Sequence, residues 1–384
     1  MKFSVLLPTR NGGRFLANCM SSILKQPYYD MELVVSDNAN TDETQAVIAS
    51  FARDSRLKVI RLDKPVSVTD NWNHALHASS GDYILMIGDD DYLLPGYFHR
   101  VEQILEKYGN PECITYNAYT YVAPDSINGN TRSYYKESHF EFGSDFEKEG
   151  LISIEKRSAI VRDMYRFHVR IPLNMQTTLM SRQAINKISE GIFQPPFPDH
   201  YALNALLLNA KVWAYVPENL LVVGVSPKSF GHFVYSNQQN KGQAYLGIAS
   251  NFKNRLPGNE LINHMHVWLA LLKSNYKDRL DGIEINRAGY VRRQVYSWYL
   301  QYKFGAISLR DLIIMTRKLS IGDWLGLLSS IVDKASWLRL WRILRFSKSN
   351  KMQILWYGLH PLDNISNIEE FASWISSQSS VRKG

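Results

Sequence analysis

Cysteine is nearly missing from this chain: Cys19 and Cys113 are the only two in 384 residues, far apart and with no paired histidines beside either. That excludes a disulfide framework and a thiolate zinc site, and suggests a reducing, cytosolic setting. Long apolar runs are missing too. The opening stretch Phe3 to Leu7 stops at Pro8-Thr9-Arg10, short of the ~7 to 15 residues of a signal-peptide core. Leu312 to Val332 is broken by Arg317, Lys318 and Asp323, so no segment approaches the ~18 apolar residues of a membrane span. Internal repeats and low-complexity tracts are also absent, which excludes a solenoid.

What is present is a globular composition with lopsided charge. At 45% hydrophobic and 21% charged the chain can bury a large core, and its length exceeds what one core usually serves. One main domain plus an appendage is expected. Residues 1–150 hold 14 Lys+Arg against 21 Asp+Glu, net −7; subtraction from the totals of 44 and 36 leaves 30 against 15, net +15, for residues 151–384. Such a basic half suits an anionic partner: nucleic acid, a phospholipid surface or a phosphorylated substrate.

Over the first 122 residues short apolar runs alternate with helical periods. Phe3 to Leu7, Glu32 to Ser36, Leu57 to Leu62, Tyr83 to Ile87 and Cys113 to Val122 have strand length and β-branched content. Between them Phe15, Cys19 and Ile23, then Val47 and Phe51, then Val101 and Leu105, fall at i, i+4 spacing. Thr41 ahead of two acids is expected to cap the second helix. The alternation predicts an α/β fold, a largely parallel sheet with helices on both faces, whose ligands bind beyond the carboxyl ends of the strands. Ala123 to Gly150 is polar and expected as a loop or flap. Then come a strand at Met175 to Met180, helices at Arg182 to Ser189 and Asp199 to Asn209, and closing strands at Trp213 to Val216 and Leu220 to Val223. Residues 253–384 are helical and strand-poor and form the expected appendage.

Three consecutive acids, Asp89, Asp90 and Asp91, follow the strand ending at Ile87. Adjacent carboxylates repel, and hard divalent cations prefer oxygen ligands, commonly one or two carboxylates plus substrate phosphate oxygens. An acidic turn is the plain alternative; placement at a strand's carboxyl end favours a metal-nucleotide site.

Ser4-Val5-Leu6-Leu7-Pro8-Thr9-Arg10-Asn11, Glu32-Leu33-Val34-Val35-Ser36-Asp37-Asn38-Ala39-Asn40-Thr41-Asp42, Asn73, Ser80-Gly81-Asp82-Tyr83-Ile84 and the aspartate triplet occur in this order. Together they resemble glycosyltransferase family 2 over roughly residues 1–120. The resemblance implies a GT-A fold, a nucleotide-sugar donor, Mn²⁺ or Mg²⁺, and inversion at the anomeric carbon. It implies that Pro8 and Thr9 line the nucleotide pocket. Asp37 and Asn38 match an acidic pair that meets the uracil; here Asn38 replaces the second acid, so base recognition moves to Asp37 or uses the amide. In the DXD-like metal motif Gly88 replaces the first acid. Asp90 is then the direct metal ligand, with Asp89 on ribose or metal-bound water and Asp91 supporting. Asn73 stands in the donor-binding set, beside Trp72, which stacks on ligand or packs in the core.

Asp199, in Phe197-Pro198-Asp199-His200-Tyr201, resembles the family's late acidic position and is the expected general base; an ordinary helix N-cap is the alternative, and His200 the second candidate base. His232 is a further candidate, for diphosphate or metal, or else a surface residue. In Ile331 to Lys351, six Lys and Arg interleave with Trp337, Trp341 and other apolar residues around a single acid, Asp333. That fits an interfacial helix on an anionic membrane, or a helix packed on the catalytic domain; no nucleic-acid motif accompanies the charge.

The expected layout is a GT-A domain at 1–252, its donor half 1–122 and acceptor half 123–252, and a helical region at 253–384. The expected enzyme moves one sugar, from a UDP-sugar, onto a glycan or lipid-linked oligosaccharide in bacterial surface polysaccharide assembly. It is placed in the cytoplasm or on the inner face of the plasma membrane. A sugar-phosphate nucleotidyltransferase, of whose basic phosphate loop Asn11-Gly12-Gly13-Arg14 is a faint version, and a non-catalytic sugar-binding module are the rivals.

Overall fold

The computed structural model describes residues 1–126, 131–138, 148–167, 174–227, 246, 251–328, 337, 341 and 358–381. Its first strands, β1 (Phe3–Thr9), β2 (Met31–Asp37), β3 (Leu57–Arg61) and β4 (Tyr83–Met86), pair in parallel in the spatial order β3-β2-β1-β4. Helices α1 (Gly13–Leu24), α2 (Thr44–Ser50) and α3 (Val68–Ala78) make the crossovers. Because helices cover both faces, β1 and β2 are buried almost throughout rather than alternating between buried and exposed residues. Phe3, Val5 and Leu7 join Leu16 and Ile23 of α1 in one core, while Leu6 and Val34 join Val68 and Leu76 of α3 in another.

The sheet continues through β5 (Tyr92–Leu93), α4 (Tyr97–Lys107), β6 (Cys113–Val122), β7 (Ser133–Ser138), β8 (Gly150–Leu151), α5 (Ile154–Tyr165), β9 (Thr178–Ser181), α6 (Arg182–Asn186), α7 (Pro198–Asn209) and β10 (Trp213–Val225). Strand β9 lies antiparallel between β4 and β6, and β10 runs parallel along the other edge of β6. The two closing strands expected from sequence are thus one, with register shifts between Val216 and Leu221. Two other expectations are corrected. Residues 133–138, expected within a loop, form β7 against β6, because Tyr134 and Tyr135 give that polar stretch alternating pairing partners. The second helix starts at Thr44 with Glu43 in the cap position, and Thr41 instead donates its N–H to Asn11 Oδ1 at 2.9 Å.

Beyond 253 come α8 (Glu260–Asn275), α9 (Arg287–Lys303), α10 (Leu309–Thr316) and α11 (Ile321–Leu328). Trp268, Leu272, Tyr290 and Trp298 of this layer share the core of Tyr201 and Leu206 of α7. The Tyr165 hydroxyl also donates to the Leu269 carbonyl at 2.9 Å. The chain then returns to the sheet. Strand β11 (His360–Leu362) pairs antiparallel with β7, and Phe371 of α12 (Ile368–Val381) stacks on Tyr121 with centroids 5.4 Å apart. His232 and nearly all of Ile331 to Lys351 lie outside the described residues.

Candidate active site

The acidic turn sits where parallel-sheet topology puts ligands, past the carboxyl end of β4 and beside β1. Its three carboxylates do different things. Asp91 is buried and accepts from two backbone amides, Gly88 N–H at 2.6 Å and Gly224 N–H at 2.9 Å, lashing the turn to β10. The approach is so close that a Cβ on Gly224 would lie 1.9 Å from the Asp90 carbonyl oxygen. Asp89 points the other way and accepts from the Thr9 hydroxyl at 2.7 Å. A Cβ on Gly12 would lie 2.0 Å from Asp89 Oδ2, so the crook between β1 and α1 is kept open for this carboxylate.

Asp90 faces Ser226 and a small cavity of about 60 Å³ that also has Arg14, Asn18, Ser366 and Asn367 in its wall. Burial, and then the Asp89 charge, push the Asp90 carboxyl up to about 7 despite the hydrogen bond from Ser226. Burial and the neighbouring Asp90 raise Asp91 as well. Among the described residues no Lys or Arg forms an ion pair with Asp90 or Asp91, and no group of three His, Cys, Asp or Glu converges on a point. Such a donor set fits a hard divalent cation held by one or two carboxylates and completed by phosphate oxygens and water; it does not fit an all-protein cage.

The candidate base-binding residues lie at the end of β2. Asp37, buried, accepts from the Asn40 N–H at 2.9 Å and has Arg61 Nε at 4.0 Å. The Asn38 side chain is engaged twice by Val66, donating to its carbonyl at 3.0 Å and accepting from its N–H at 2.8 Å. That reciprocal pair fastens the segment leading into α3. Pro8 is half-buried at the end of β1, and the Thr9 hydroxyl is occupied by Asp89. Asn73 donates to the Phe193 carbonyl, in the segment between α6 and α7, at 3.2 Å, and Trp72 packs edge-on against Phe193 with centroids 5.2 Å apart.

Asp199 occupies the first turn of α7, with Phe197 in the cap position and Pro198 after it; its carboxylate makes no capping bond. The cap alternative is therefore not realised. Asp199 and His200, whose Oδ2 and Nε2 are 3.9 Å apart, line a cavity of about 480 Å³. Trp72, Ile262, Met265 and Tyr296 make its wall largely apolar, and Asn259 and Arg293 add polar groups. Three layers meet there: α3, α7 and the α8–α9 pair. This cavity and the Asp90 cavity share no lining residue.

Sequence reasoning missed Arg14, Ser226, Ser366 and Asn367 as neighbours of Asp90. Arg14 had a local signal, the Gly12-Gly13 step at the start of α1. Ser366 and Asn367 had none, since only pairing of β11 with β7 brings them to the sheet's active end.

Residues 4–168 match the family model described as Glycosyl transferase family 2. Among curated relatives, Glycosyltransferase GlyG of Streptococcus pneumoniae serotype 4 is 24% identical over 221 residues, covering 56% of this chain and 68% of that protein. GalNAc(5)-diNAcBac-PP-undecaprenol beta-1,3-glucosyltransferase of Campylobacter jejuni is 33% identical over 104 residues, covering 27% of this chain and 34% of that protein. This chain thus spans two thirds of the first relative and one third of the second. Among solved structures, residues 1–349 of Staphylococcus aureus TarS, in complex with UDP-GlcNAc, superpose with a TM-score of 0.51 at 14% identity, covering 92% of this chain and 89% of that one. At that identity the likeness establishes the fold.

Proposed function

Because residues 4–168 match the Glycosyl transferase family 2 model and the chain has the GT-A fold, we propose that it transfers a single sugar from a UDP-sugar to a hydroxyl of a lipid-linked or polymeric surface glycan, with inversion. The observation that carries this reading is the Asp90 carboxylate, partly buried beside Asp89, pushed up to about 7, and ion-paired to no Lys or Arg among the described residues. A group so placed is stabilised by an arriving charge of opposite sign. Asp90 would hold a divalent ion, Mn²⁺ or Mg²⁺, with Asp89 toward ribose or metal-bound water, and Asp91 would keep the turn rigid. When bound, that ion supplies Lewis-acid neutralisation of the departing diphosphate.

The chain's own residues do the rest. Pro8, Thr9, Asp37, Asn38 and the segment that Asn38 ties down form the nucleoside side. Asp199 takes the proton of the acceptor hydroxyl as its oxygen bonds to the anomeric carbon and the bond to the diphosphate oxygen breaks, releasing UDP. General-base assistance of this kind contributes ~10² to 10⁴-fold. The 480 Å³ cavity beside Asp199 is the acceptor's place, and His232 is a further candidate for the diphosphate. A lipid-linked acceptor, as in the name of the Campylobacter relative, would put the enzyme to work at a membrane surface, although no helix among the described residues is long and apolar enough to cross one.

The test is UDP release from a panel of UDP-sugars with Mn²⁺, with and without lipid-linked acceptor. Acceptor-stimulated release supports transfer; pyrophosphate-dependent nucleotide exchange would favour a nucleotidyltransferase, and binding with no turnover a non-catalytic module.

A further inference from the structure

Most of the large apolar side chains left exposed among the described residues fall between 309 and 341. Helix α10 turns Leu312 and Met315 toward the core and leaves Leu309, Ile313 and Ile314 outside. Helix α11 does the same: Leu327 packs inward, while Ile321, Trp324, Leu325 and Leu328 stay out, Ile321 at 82% exposure. Two short helices, both packed on α9, thus each turn apolar side chains outward that no other described residue buries. Exposed apolar side chains gathered in this way mark an interaction surface.

Charge identifies the occupant. Arg310, Arg317 and Lys318 are exposed beside the patch. Of the two acids in the same stretch, Asp311 is exposed but held in a capping box with Ser308, and Asp323, buried, accepts from Arg287 Nε at 2.9 Å and Nη2 at 3.0 Å. What faces outward is therefore Ile, Leu and Trp flanked by three cations and one capped acid, a net basic composition that settles at an anionic headgroup boundary, with Trp at the interface and Lys and Arg drawn to lipid charge. A second protein copy would need matching acids, and the net +15 of residues 151–384 argues against like meeting like.

We infer that the outer face of α10 and α11 docks the enzyme on an anionic lipid bilayer. This deepens the membrane-surface reading above. Since α8 and α9 line the acceptor cavity and α9 packs against α11, docking would bring that cavity to the surface where a lipid-linked glycan resides.

The test uses the full chain in co-sedimentation with phosphatidylcholine vesicles, with and without phosphatidylglycerol. Wild type should bind only the anionic vesicles, and binding should fall with added salt. The doubles Ile321→Glu/Leu325→Glu and Arg317→Glu/Lys318→Glu should each weaken it by roughly tenfold or more. Melting temperature and UDP release in vesicle-free buffer should stay unchanged, which separates failure of docking from failure of the catalytic reading. Lack of binding by wild type, or undiminished binding by both doubles, overturns the inference. So does light scattering that finds a dimer which both doubles dissociate, since the face would then belong to a second copy.

Discussion

Glu32 and Asp90 are carboxylates at opposite ends of the same parallel strands, and the protein treats them in opposite ways. At the amino end, burial pushes Glu32 up, but hydrogen bonds from the Ser4 hydroxyl at 2.6 Å, the Ser80 N–H at 2.5 Å and Lys2 Nζ at 3.1 Å outweigh it and hold the carboxyl at about 2. At the carboxyl end, Asp90 is partly buried beside another acid and pushed up to about 7. The first acid's partners are supplied by the fold and its charge is structural. The second has hydrogen bonds from Ser226 but, among the described residues, no ion pair, and the fold tolerates that cost at the end where ligands bind.

The largest effect that sharpens this contrast lies at a third acid. Asp199→Asn should lower transfer by ~10² to 10⁴-fold while leaving metal-dependent UDP binding intact, measured by titration calorimetry; equal loss of both would make Asp199 structural. Next, Asp90→Asn should cut transfer by about 10²-fold or more and yet raise the melting temperature of the ligand-free protein near pH 8. A variant that loses both activity and stability would place Asp90 with Glu32 rather than against it.

Glu32→Gln should do the reverse, keeping activity and lowering stability at neutral pH by about 1 to 3 kcal/mol, since it disrupts the hydrogen bonds from Ser4, Ser80 and Lys2. The pH dependences have opposite signs. Glu32 is depressed, so its contribution is present above its unfolded value of 4.5 and is lost as pH falls through about 2. Asp90 is raised, so its contribution is present below its unfolded value of 3.8 and is lost as pH rises through about 7. Denaturant titrations should therefore show the Glu32→Gln deficit at pH 7 shrinking toward pH 2, and the Asp90→Asn gain at pH 8 vanishing toward pH 4. The smallest expected effect is Asn367→Ala, a several-fold rise in donor KM with little change in melting temperature, if the returning segment helps enclose the Asp90 cavity.

Much of this was legible because the N-terminal sheet is built from local units. Each strand-helix pair announces itself by period and places its acids at a strand end, so the parallel order and the position of the triplet could be read directly. The division of labour within the triplet could not: Asp91 is lashed by Gly224, more than a hundred residues away, and Asp89 by Thr9, eighty residues away. Nor could the sequence show that the Asn38 amide, expected at the base, also exchanges two hydrogen bonds with Val66. Likewise β7 hid in a polar stretch because it takes its identity from its pairing partners β6 and β11, and the exposed side chains of α10 and α11 emerge only once Leu312, Met315 and Leu327 are seen to point inward.

The central claim is that the carboxylates after β4 await a cation carrying a diphosphate, and thermal melting with UDP and Mn²⁺ tests it most directly. Wild type should gain melting temperature with both together, far less with either alone, and Asp90→Asn should lose that joint gain. An equal gain from UDP in the presence of a chelator, or a joint gain that survives in Asp90→Asn, would contradict the account.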